Sequence, residues 1–189
     1  MNKQSQILNR MIQSMIIMLV FLVATPVTAQ EKIKWMSFEE AIALLEKEPK
    51  HIFIDVYTDW CGWCKKMDAS TFVDPVIVKL MNDNFYAVKL DAEQKDTIMF
   101  QDKAFVNPSP EGRRSSHEMA QALLKGKMSY PSFVFLNSQT EWLTVVAGFR
   151  KAPEMEQVLT YFGENIYEEK TWEQFIATFV SKLPPVTAQ

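Results

Sequence analysis

Apolar and polar positions follow two periods along the chain, and together they predict strands that alternate with helices. Nearly continuous apolar runs at 52–57, 85–90 and 133–136 are rich in β-branched and aromatic residues, which is typical of buried strands. Between these runs, apolar residues recur every three or four positions, as on one face of a helix. Strands alternating with helices favour β-α-β units, so we expect an α/β protein with an at least partly parallel sheet.

Capping residues mark where several helices begin. Residues 37–40 (S-F-E-E) form a capping box that predicts a helix to about Lys47. Asp74-Pro75 supplies an N-cap followed by a first-turn proline. Residues 115–118 (S-S-H-E) predict another capping box. The short helix after it is expected to turn three residues inward: Met119, Ala122 and Leu123.

The two ends of the domain are also predicted from pattern. Residues 33–35 are interpreted as a short edge strand, and residues 142–148 as a strand antiparallel to its predecessor. Pro153 begins a helix that Gly163 ends, and Thr171 caps a last helix. The apolar spacing in that last helix predicts a buried stripe: Trp172, Phe175, Ile176 and Phe179.

The polar stretch 94–114 is longer than most connections in compact domains. Its apolar residues (Met99, Phe100, Phe105, Val106) indicate that it packs against the domain. The stretch either borders a functional site or decorates an edge of the fold, and the second alternative is the default for a long connection.

The first 29 residues have the pattern of an export signal. A basic segment without acidic residues precedes an apolar run at 15–24, and small residues ending at Ala29 form a cleavage segment. The run is shorter than the about 20 apolar residues that span a bilayer. We therefore expect residues 1–29 to be a signal peptide and residues 30–189 to form one exported domain; an uncleaved anchor is the alternative.

Loss of this segment changes the charge of the chain. The whole sequence has a net charge of −3, and without Lys3 and Arg10 the remaining 18 basic and 23 acidic residues give −5. This modest acidity argues against nucleic acids and anionic membrane surfaces as partners.

The two cysteines of the chain lie three residues apart, where the predicted strand 52–57 leads into a helix. Cys61 is expected at the N-terminal end of this helix, where unpaired N–H groups and the dipole lower the cysteine pKa from about 8.5 and favour the thiolate. Cys64 follows one turn later, within reach of a disulfide. So small a loop constrains the unfolded chain little, so the pair is predicted to be redox-active.

Residues 52–65 (I-F-I-D-V-Y-T-D-W-C-G-W-C-K) resemble the active-site segment of the thioredoxin family, with Asp55 at the position of that family's buried carboxylate. Trp63 replaces the proline of thioredoxins, which leaves the direction of electron flow open. Lys89 in V-K-L-D matches the family's lysine near this carboxylate, and Tyr130-Pro131 matches its cis-proline.

The resemblance runs from about Phe53 to the helix after Pro153 and implies the thioredoxin fold. We expect a central mixed sheet of four to five strands flanked by helices, with 94–114 as an insertion before the cis-proline segment and extra C-terminal helices. The motif W-C-G-W-C-K-K-M followed by T-F-x-D-P is similar to exported thioredoxin-like proteins of bacteria, which implies thiol–disulfide exchange in the periplasm.

The resemblance also implies a division of labour within the site. Cys61 is expected to attack and Cys64 to resolve the mixed disulfide, while Asp55 accepts the proton of Cys64, directly or through a water. Lys89 is expected to tune Asp55 by its charge. Residues expected to contact an extended substrate peptide are Trp60, Gly62, Trp63, Tyr130 and Pro131. Lys65 and Lys66 are interpreted mainly as a solvated face.

Other kinds of site fit the sequence less well. A structural zinc site takes four Cys or His ligands, and His51 and His117 lie far from the pair along the chain. Haem attachment requires a His directly after the second cysteine, where Lys65 stands. No metal or cofactor is therefore expected.

The sequence predicts a monomeric thiol–disulfide oxidoreductase that exchanges disulfides with exported proteins. Reduction is the favoured direction, because the Asp55–Lys89 pair resembles that of reducing thioredoxins, and a membrane or periplasmic donor would then supply electrons. The alternative is a non-catalytic thioredoxin-fold module that binds proteins, acts as a chaperone or senses redox state.

Overall fold

A computed structural model of the chain describes residues 30–112 and 114–184, and before them only residues 2, 4–6, 9–11 and 13. The chain divides into two units, Met1–Gln30 and Glu31–Gln189, and the fold below is that of the second. The apolar run at 15–24 and the expected cleavage site at Ala29 lie outside the described residues. Within the described part, no helix has the length and apolar character needed to cross a membrane.

Seven strands form two sheets in this part of the chain. They are β1 (Trp35–Met36), β2 (His51–Tyr57), β3 (Phe85–Asp91), β4 (Ile98–Phe100), β5 (Lys103–Phe105), β6 (Ser132–Leu136) and β7 (Trp142–Ala147). The main sheet has the order β1-β3-β2-β6-β7, and β4 pairs with β5 in a separate hairpin. β1 and β2 both run parallel to β3, whereas β6 is antiparallel to β2 and β7 to β6. This is the mixed sheet and thioredoxin fold that the sequence predicts, with β2 at its centre.

Six α-helices accompany the sheet. They are α1 (Phe38–Leu45), α2 (Gly62–Ala69), α3 (Pro75–Asn84), α4 (Glu118–Leu123), α5 (Ala152–Gly163) and α6 (Trp172–Ile176), with 3-10 turns at Thr71–Val73 and Ile166–Glu168. The predicted caps of α1, α3 and α6 are present. The Ser37 side chain accepts from the N–H of Glu40, Asp74 from those of Val76 and Ile77, and Thr171 from that of Gln174.

The core lies on both faces of the main sheet, because side chains of a strand alternate between its faces. Ile52, Ile54 and Val56 of β2 pack on one side with α1, α4 and the hairpin. Phe53 packs on the other side with residues of α2, α3 and α5. Asp55 follows Phe53 by two positions, so it lies on the face that α2 covers.

Gly163 allows the last turn of α5 to approach β3 closely. A Cβ at this position would lie 2.8 Å from the ring of Phe85. The glycine predicted to end the helix is therefore also required by packing.

Four local predictions are wrong. The edge strand is Trp35–Met36 and not 33–35, because its backbone pairs with Ala87 and Val88 of β3. No capping box forms at 115–118: His117 is the N-cap of α4, and its Nδ1 accepts from the N–H of Met119. Ala120 is buried there and Ala122 is exposed.

The predicted stripe of α6 is the fourth. The helix ends at Ile176, before a second turn of the stripe forms, and only Phe175 of its four residues is buried. Trp172 is 36% exposed and packs its ring edge against Tyr161 of α5.

Candidate active site

The two cysteines lie at the point where β2 leads into α2. The chain leaves β2 at Tyr57 and turns through Thr58, whose carbonyl accepts the N–H of Cys61 at 3.1 Å. Cys61 is then the N-cap of α2, and its sulfur accepts the N–H of Cys64 at 3.1 Å. The predicted helix N-terminal position of Cys61 is thus present, and a backbone N–H already points at its sulfur.

Cys61 and Cys64 form a disulfide, with their Cα atoms 5.3 Å apart. Both are buried, Cys61 to a slightly smaller degree, with 5% of its surface exposed against 2% for Cys64. A Cβ added at Gly62 would meet no atom within 4 Å, so the space beside the pair is open at this position. A partner can therefore reach Cys61 more easily than Cys64.

Two tryptophans flank the disulfide and are far more exposed than apolar side chains usually are. Trp60 is 54% exposed and Trp63 56%. Trp60 meets the ring of Tyr130 edge to face at 5.8 Å, and Trp63 lies 5.2 Å from the ring of Phe149. Phe149 belongs to the turn between β7 and α5 and was not anticipated from the sequence, because that turn reaches the site only through the fold.

The Tyr130-Pro131 peptide bond is cis. Pro131 precedes β6, and its carbonyl accepts the N–H of Gly148 at 2.8 Å, which holds this segment against the end of β7. Within residues 30–112 and 114–184, the backbone of Tyr130 makes no hydrogen bond. Its N–H and C=O are thus able to pair with an extended partner chain.

Asp55 and Lys89 are neighbours because β2 and β3 are parallel and pair these two residues in register. The Lys89 ammonium donates to Asp55 Oδ2 at 2.7 Å and to Asp68 Oδ1 at 2.5 Å. Asp55 is 1% exposed, and its Oδ1 is buried without a hydrogen-bond partner. A buried carboxylate oxygen that lacks a donor favours protonation, which is a property expected of a group that exchanges protons.

The environment shifts the pKa of both members of this pair. Burial raises the pKa of Asp55 to about 6, while the charge and hydrogen bond of Lys89 act in the opposite direction. For Lys89, burial lowers the pKa, but the Asp55 and Asp68 carboxylates outweigh it and leave the pKa above its usual value. Lys89 therefore stays charged at neutral pH, and Asp55 changes protonation near it.

Aromatic rings enclose the ammonium of Lys89. Its Nζ lies 4.9 Å from the ring centroid of Trp35, 5.0 Å from that of Tyr57 and 5.6 Å from that of Phe72. A cation over ring faces is stabilised by their quadrupoles, so the rings help to retain the charge away from bulk water.

Asp68 is the acidic residue that sequence reasoning missed. It lies on α2 four residues after Cys64, so the two share one face of the helix. That spacing was a usable signal, but the partner of Asp68 is Lys89 on β3, and only the fold brings them together.

The insertion borders the site, contrary to the default expectation for it. The carboxylate of Glu93, just before the insertion, accepts the indole N–H of Trp60 at 3.0 Å. The guanidinium of Arg114, at its end, lies 5.3 Å from the ring of Trp60. The two ends of the insertion thus hold one of the tryptophans beside the disulfide.

A single buried amide closes the base of the insertion. Asn107 Nδ2 donates to the carbonyls of Glu93, Gln94 and Ser115, at 3.2, 3.2 and 3.4 Å. Its Oδ1 accepts the N–H of Ser109 and the hydroxyl of Ser115. Between the ends, the β4–β5 hairpin packs Ile98 and Phe105 into the core, with Phe100 partly buried against it. The insertion therefore packs against the domain as predicted, but Met99 and Val106 are exposed.

In the described part of the chain, no three His, Cys, Asp or Glu side chains come together as a metal site. His51 instead bonds Asn165 through Nε2, and His117 bonds the carbonyl of Asp96 through its own Nε2.

Comparisons with known proteins agree with this fold and site. Among solved structures, a DsbH oxidoreductase superposes with a TM-score of 0.53 at 21% identity, over 75% of this chain and 92% of that one. A thioredoxin from Thermus thermophilus superposes with a TM-score of 0.51 at 19% identity, over 71% and 92%. At these identities the likeness shows the thioredoxin fold.

Sequence relatives match shorter segments. The thiol:disulfide interchange protein DsbD of Escherichia coli strain K12 is 42% identical over 41 residues, which are 22% of this chain and 7% of DsbD. The chain spans a tenth or less of the length of the curated relatives it matches.

A family model covers most of the chain. Residues 25–174 match Thioredox_DsbH, a family described as "Protein of unknown function, DUF255". With its close cysteine pair on a thioredoxin fold, the chain belongs to the Thioredox_DsbH family.

Proposed function

We propose that the protein is an exported thiol–disulfide oxidoreductase that reduces disulfides in other exported polypeptides through its Cys61-Gly-Trp-Cys64 site. The observation that carries the proposal is the placement of Cys61 as N-cap of α2, with the N–H of Cys64 directed at its sulfur. A negative sulfur at this position is favoured by the hydrogen bond and by the helix dipole, so Cys61 is the attacking thiolate.

The first step is a thiol–disulfide exchange between the reduced protein and the substrate. In the reduced protein, the Cys61 thiolate attacks one sulfur of the substrate disulfide and forms a mixed disulfide, and the other substrate sulfur leaves as a thiolate. Trp60 and Trp63 provide apolar contact around this sulfur, and the unpaired backbone of Tyr130 supplies strand-like hydrogen bonds to the substrate chain.

The second step needs a base for the more buried cysteine. Cys64 loses its proton and attacks Cys61, which releases the second substrate thiolate and leaves the Cys61–Cys64 disulfide. Asp55 lies on the sheet face beneath α2, and with a pKa of about 6 it is mostly ionised at pH 7 and able to take this proton, directly or through a water. Two electrons have then passed from the dithiol to the substrate.

A return of the protein to its reduced state requires an external dithiol, which we assign to a membrane or periplasmic reductase. Export supports this assignment through the signal-like residues 1–29, and the Asp55–Lys89 pair supports the reducing direction.

The direct test is turnover. The protein with a dithiol reductant should reduce the interchain disulfides of insulin well above the rate of the reductant alone, and a Cys61→Ser, Cys64→Ser double variant should not exceed that rate. The reduction potential of the wild-type cysteine pair should also be more negative than that of the disulfides of the periplasm. If the wild type shows no dithiol-dependent turnover, the protein is a binding or redox-sensing module on the same fold.

A further inference from the structure

The surface on the Trp63 side of the disulfide is basic, although the chain as a whole is acidic. Lys66, Arg150 and Lys151 lie there, on α2 and on the turn between β7 and α5, and we refer to these three residues as the basic flank. Across the residues with described positions, none of the three has a carboxylate oxygen within 4 Å. Three cations without ion-pair partners therefore lie on one side of the reactive pair.

Lys66 is held at the aromatic part of this surface. Its ammonium lies 4.9 Å from the ring of Trp63 and 5.3 Å from the ring of Phe149. Contact with these two rings keeps the ammonium group beside Trp63 and Phe149. It also limits the rotamers of the Lys66 side chain, whereas an ordinary solvated lysine has many. Lys65 and Lys66 are both exposed, as expected from the sequence, and Lys66 in addition contacts these two rings.

A cavity of about 280 Å³ opens next to Lys66. Its lining consists of Lys66, Ser70, Thr71, Phe149, Lys151 and Ala152. The Ser70 hydroxyl donates to the carbonyl of Lys66 and the Thr71 hydroxyl to that of Arg150, so both hydroxyl protons are engaged. Among the lining side chains, those of Lys66 and Lys151 remain able to donate to a ligand, and Phe149 and Ala152 supply apolar lining.

The backbone segments that carry the two lysines are tied together, because the turn before Lys151 is bonded to α2 and to the residue that follows its C-cap. The N–H of Arg150 donates to the sulfur of Met67 at 3.4 Å, and its carbonyl accepts the Thr71 hydroxyl at 2.7 Å. Glu154 accepts the backbone N–H of Lys151 and does not pair with its ammonium. Hydrogen bonds of the folded protein thus hold the backbone around the cavity in place.

The Trp60 side of the disulfide has the opposite charge. Asp59, Asp91 and Glu93 lie near one another there: burial raises the pKa of Asp91, and the charges of Asp59 and Glu93 raise it further. Arg114 above Trp60 offsets only part of this negative charge. A polypeptide lying across the pair therefore meets cations at one end and carboxylates at the other.

We propose that the cavity between Lys66, Lys151 and Phe149 receives an acidic side chain of the oxidised polypeptide substrate. The proposal rests on the proposed function and names the class of substrate for the same site. A Glu or Asp side chain fits the donors and the apolar lining, since its carboxylate meets two ammonium groups while its methylene groups contact Phe149. The acidic Trp60 side repels the same side chain, so charge also sets the direction in which the substrate lies.

The position of the acidic residue follows from the helix. Lys66 lies five residues after Cys61, about 7.5 Å along α2 at a rise of about 1.5 Å per residue. An extended chain advances about 3.3 Å per residue. The acidic residue should therefore lie two or three positions from the cysteine that Cys61 attacks.

The experiment uses pre-reduced full-length protein and peptides with one cysteine in disulfide linkage to thionitrobenzoate. Attack by Cys61 joins the protein to the peptide sulfur and expels coloured thionitrobenzoate, so single-turnover rates are read by absorbance. The peptides carry Glu, Gln or Lys three positions before the cysteine, or the same residues three positions after it. For one of the two placements, Glu should react about fivefold faster than Lys, a ratio expected of a few exposed charge pairs.

A matched pair of variants assigns the effect to the cavity. Lys66→Gln with Lys151→Gln should bring the Glu-to-Lys ratio close to one, and 0.5 M salt should do the same to the wild type. Lys47→Gln with Lys127→Gln removes the same charge from exposed lysines outside the basic flank and should leave the ratio unchanged. Equal rates for all peptides, or an equal loss of selectivity in both double variants, would overturn the proposal.

A second measurement separates this proposal from the proposed function. Peptides with Ser in place of the cysteine undergo no exchange, and titration followed by NMR should give tighter binding for the Glu peptide with shifts at Lys66 and Phe149. Such binding without turnover would uphold the charge selection and reject the reductase function. Turnover with no preference in either measurement would uphold the function and reject the charge selection.

Discussion

The ammonium of Lys89 lies 2.7 Å from a carboxylate oxygen of the buried Asp55, and the parallel register of β2 and β3 places the two residues side by side. The second oxygen of Asp55 has no hydrogen-bond partner within the described structure. The carboxylate is thus paired on one side and unsatisfied on the other. Burial raises its pKa, and the contact with the Lys89 cation offsets only part of that rise.

Replacement of Asp55 by Asn should stabilise the oxidised protein at neutral pH. The folded pKa of about 6 lies above the unfolded value of 3.8, so the stability that protonated Asp55 contributes is complete below pH 3.8 and is lost as the pH rises through 6. At pH 7.5, the free energy of unfolding of Asp55→Asn should therefore exceed that of the wild type by up to about 3 kcal/mol. Lys89 keeps Asp68 as a partner in the variant.

Urea unfolding of the two oxidised proteins between pH 4 and pH 8 measures this difference. The difference in unfolding free energy between the two proteins should become small near pH 4, where the side chain at position 55 is neutral in both folded proteins. A difference of constant size across this range would mean that Asp55 does not titrate with a raised pKa in the folded protein.

Replacement of Asp68 by Asn should lower the pKa of Asp55. The Asp68 carboxylate raises that pKa through its charge, and its removal also leaves the Lys89 ammonium to Asp55 alone. Carboxyl ¹³C shifts followed by NMR titration would report the change. Asp83→Asn is the matched control, because Asp83 pairs with Lys79 on α3, at the surface. A pKa for Asp55 that stays constant or rises in Asp68→Asn would contradict the coupling.

Substitution of the two cysteines should have unequal consequences. Cys64→Ser retains the thiolate at the start of α2 but cannot resolve a mixed disulfide, so covalent adducts with exported polypeptides should accumulate. Cys61→Ser should trap almost nothing. Both variants lose the same disulfide, so each controls for the stability of the other.

Non-reducing gels of the exported fraction would show the adducts as high-mass species that collapse with dithiothreitol, and mass spectrometry would identify their partners. Equal trapping by the two variants would mean that Cys61 is not the nucleophile.

Glu93→Ala should release the indole of Trp60. The exchange of its Nε1–H with solvent should accelerate several-fold, and attack on a peptide disulfide should slow about two- to fivefold, because a mobile ring orients substrate less well. Glu118→Ala is the control, since Glu118 also accepts one N–H within this region, that of Val106, but does not contact Trp60. Similar effects of both substitutions on the attack rate would assign the loss to general loosening of the insertion.

The predicted signal peptide implies a defined N-terminus for the mature protein. The apolar run at 15–24 and the small residues before Gln30 should direct cleavage after Ala29, so the first residue of the mature protein should be Gln30 or lie within a few positions of it. N-terminal sequencing of the exported form tests this. Intact Met1 in a membrane fraction would indicate an anchor instead.

Elements with strong local signals were predictable from the sequence. β3 spans the predicted run at 85–90 and ends one residue later, at Asp91, and α3 begins after Asp74 as its capping side chain requires. The Tyr130-Pro131 bond is cis as the resemblance implies. In each case, residues that are adjacent in the chain carry the information.

The parts that escaped prediction depend on unusual local chemistry or on distant contacts. The β4–β5 hairpin turns at Gln101 and Asp102, both with positive φ, where Asn-Gly or Asp-Gly is the usual signal. His117 caps α4 with a ring nitrogen, a residue type that capping rules do not favour. The contacts of Asp68 with Lys89 and of Phe149 with Trp63 join elements far apart in sequence, so no pattern within one segment reveals them.

The position of Asn107 has a consequence for how the domain tolerates changes in length. Its amide group joins residues 93–94 to residue 115, so the two ends of the insertion are held together independently of the segments between them. The free energy of closing a flexible loop rises by only about 0.6 kcal/mol for each doubling of its length. Extra residues at the tip of the hairpin, near 101–102, would therefore leave Trp60 in place. A chain engineered to recognise a new partner has room there for a grafted segment, at a fixed distance from the reactive sulfur.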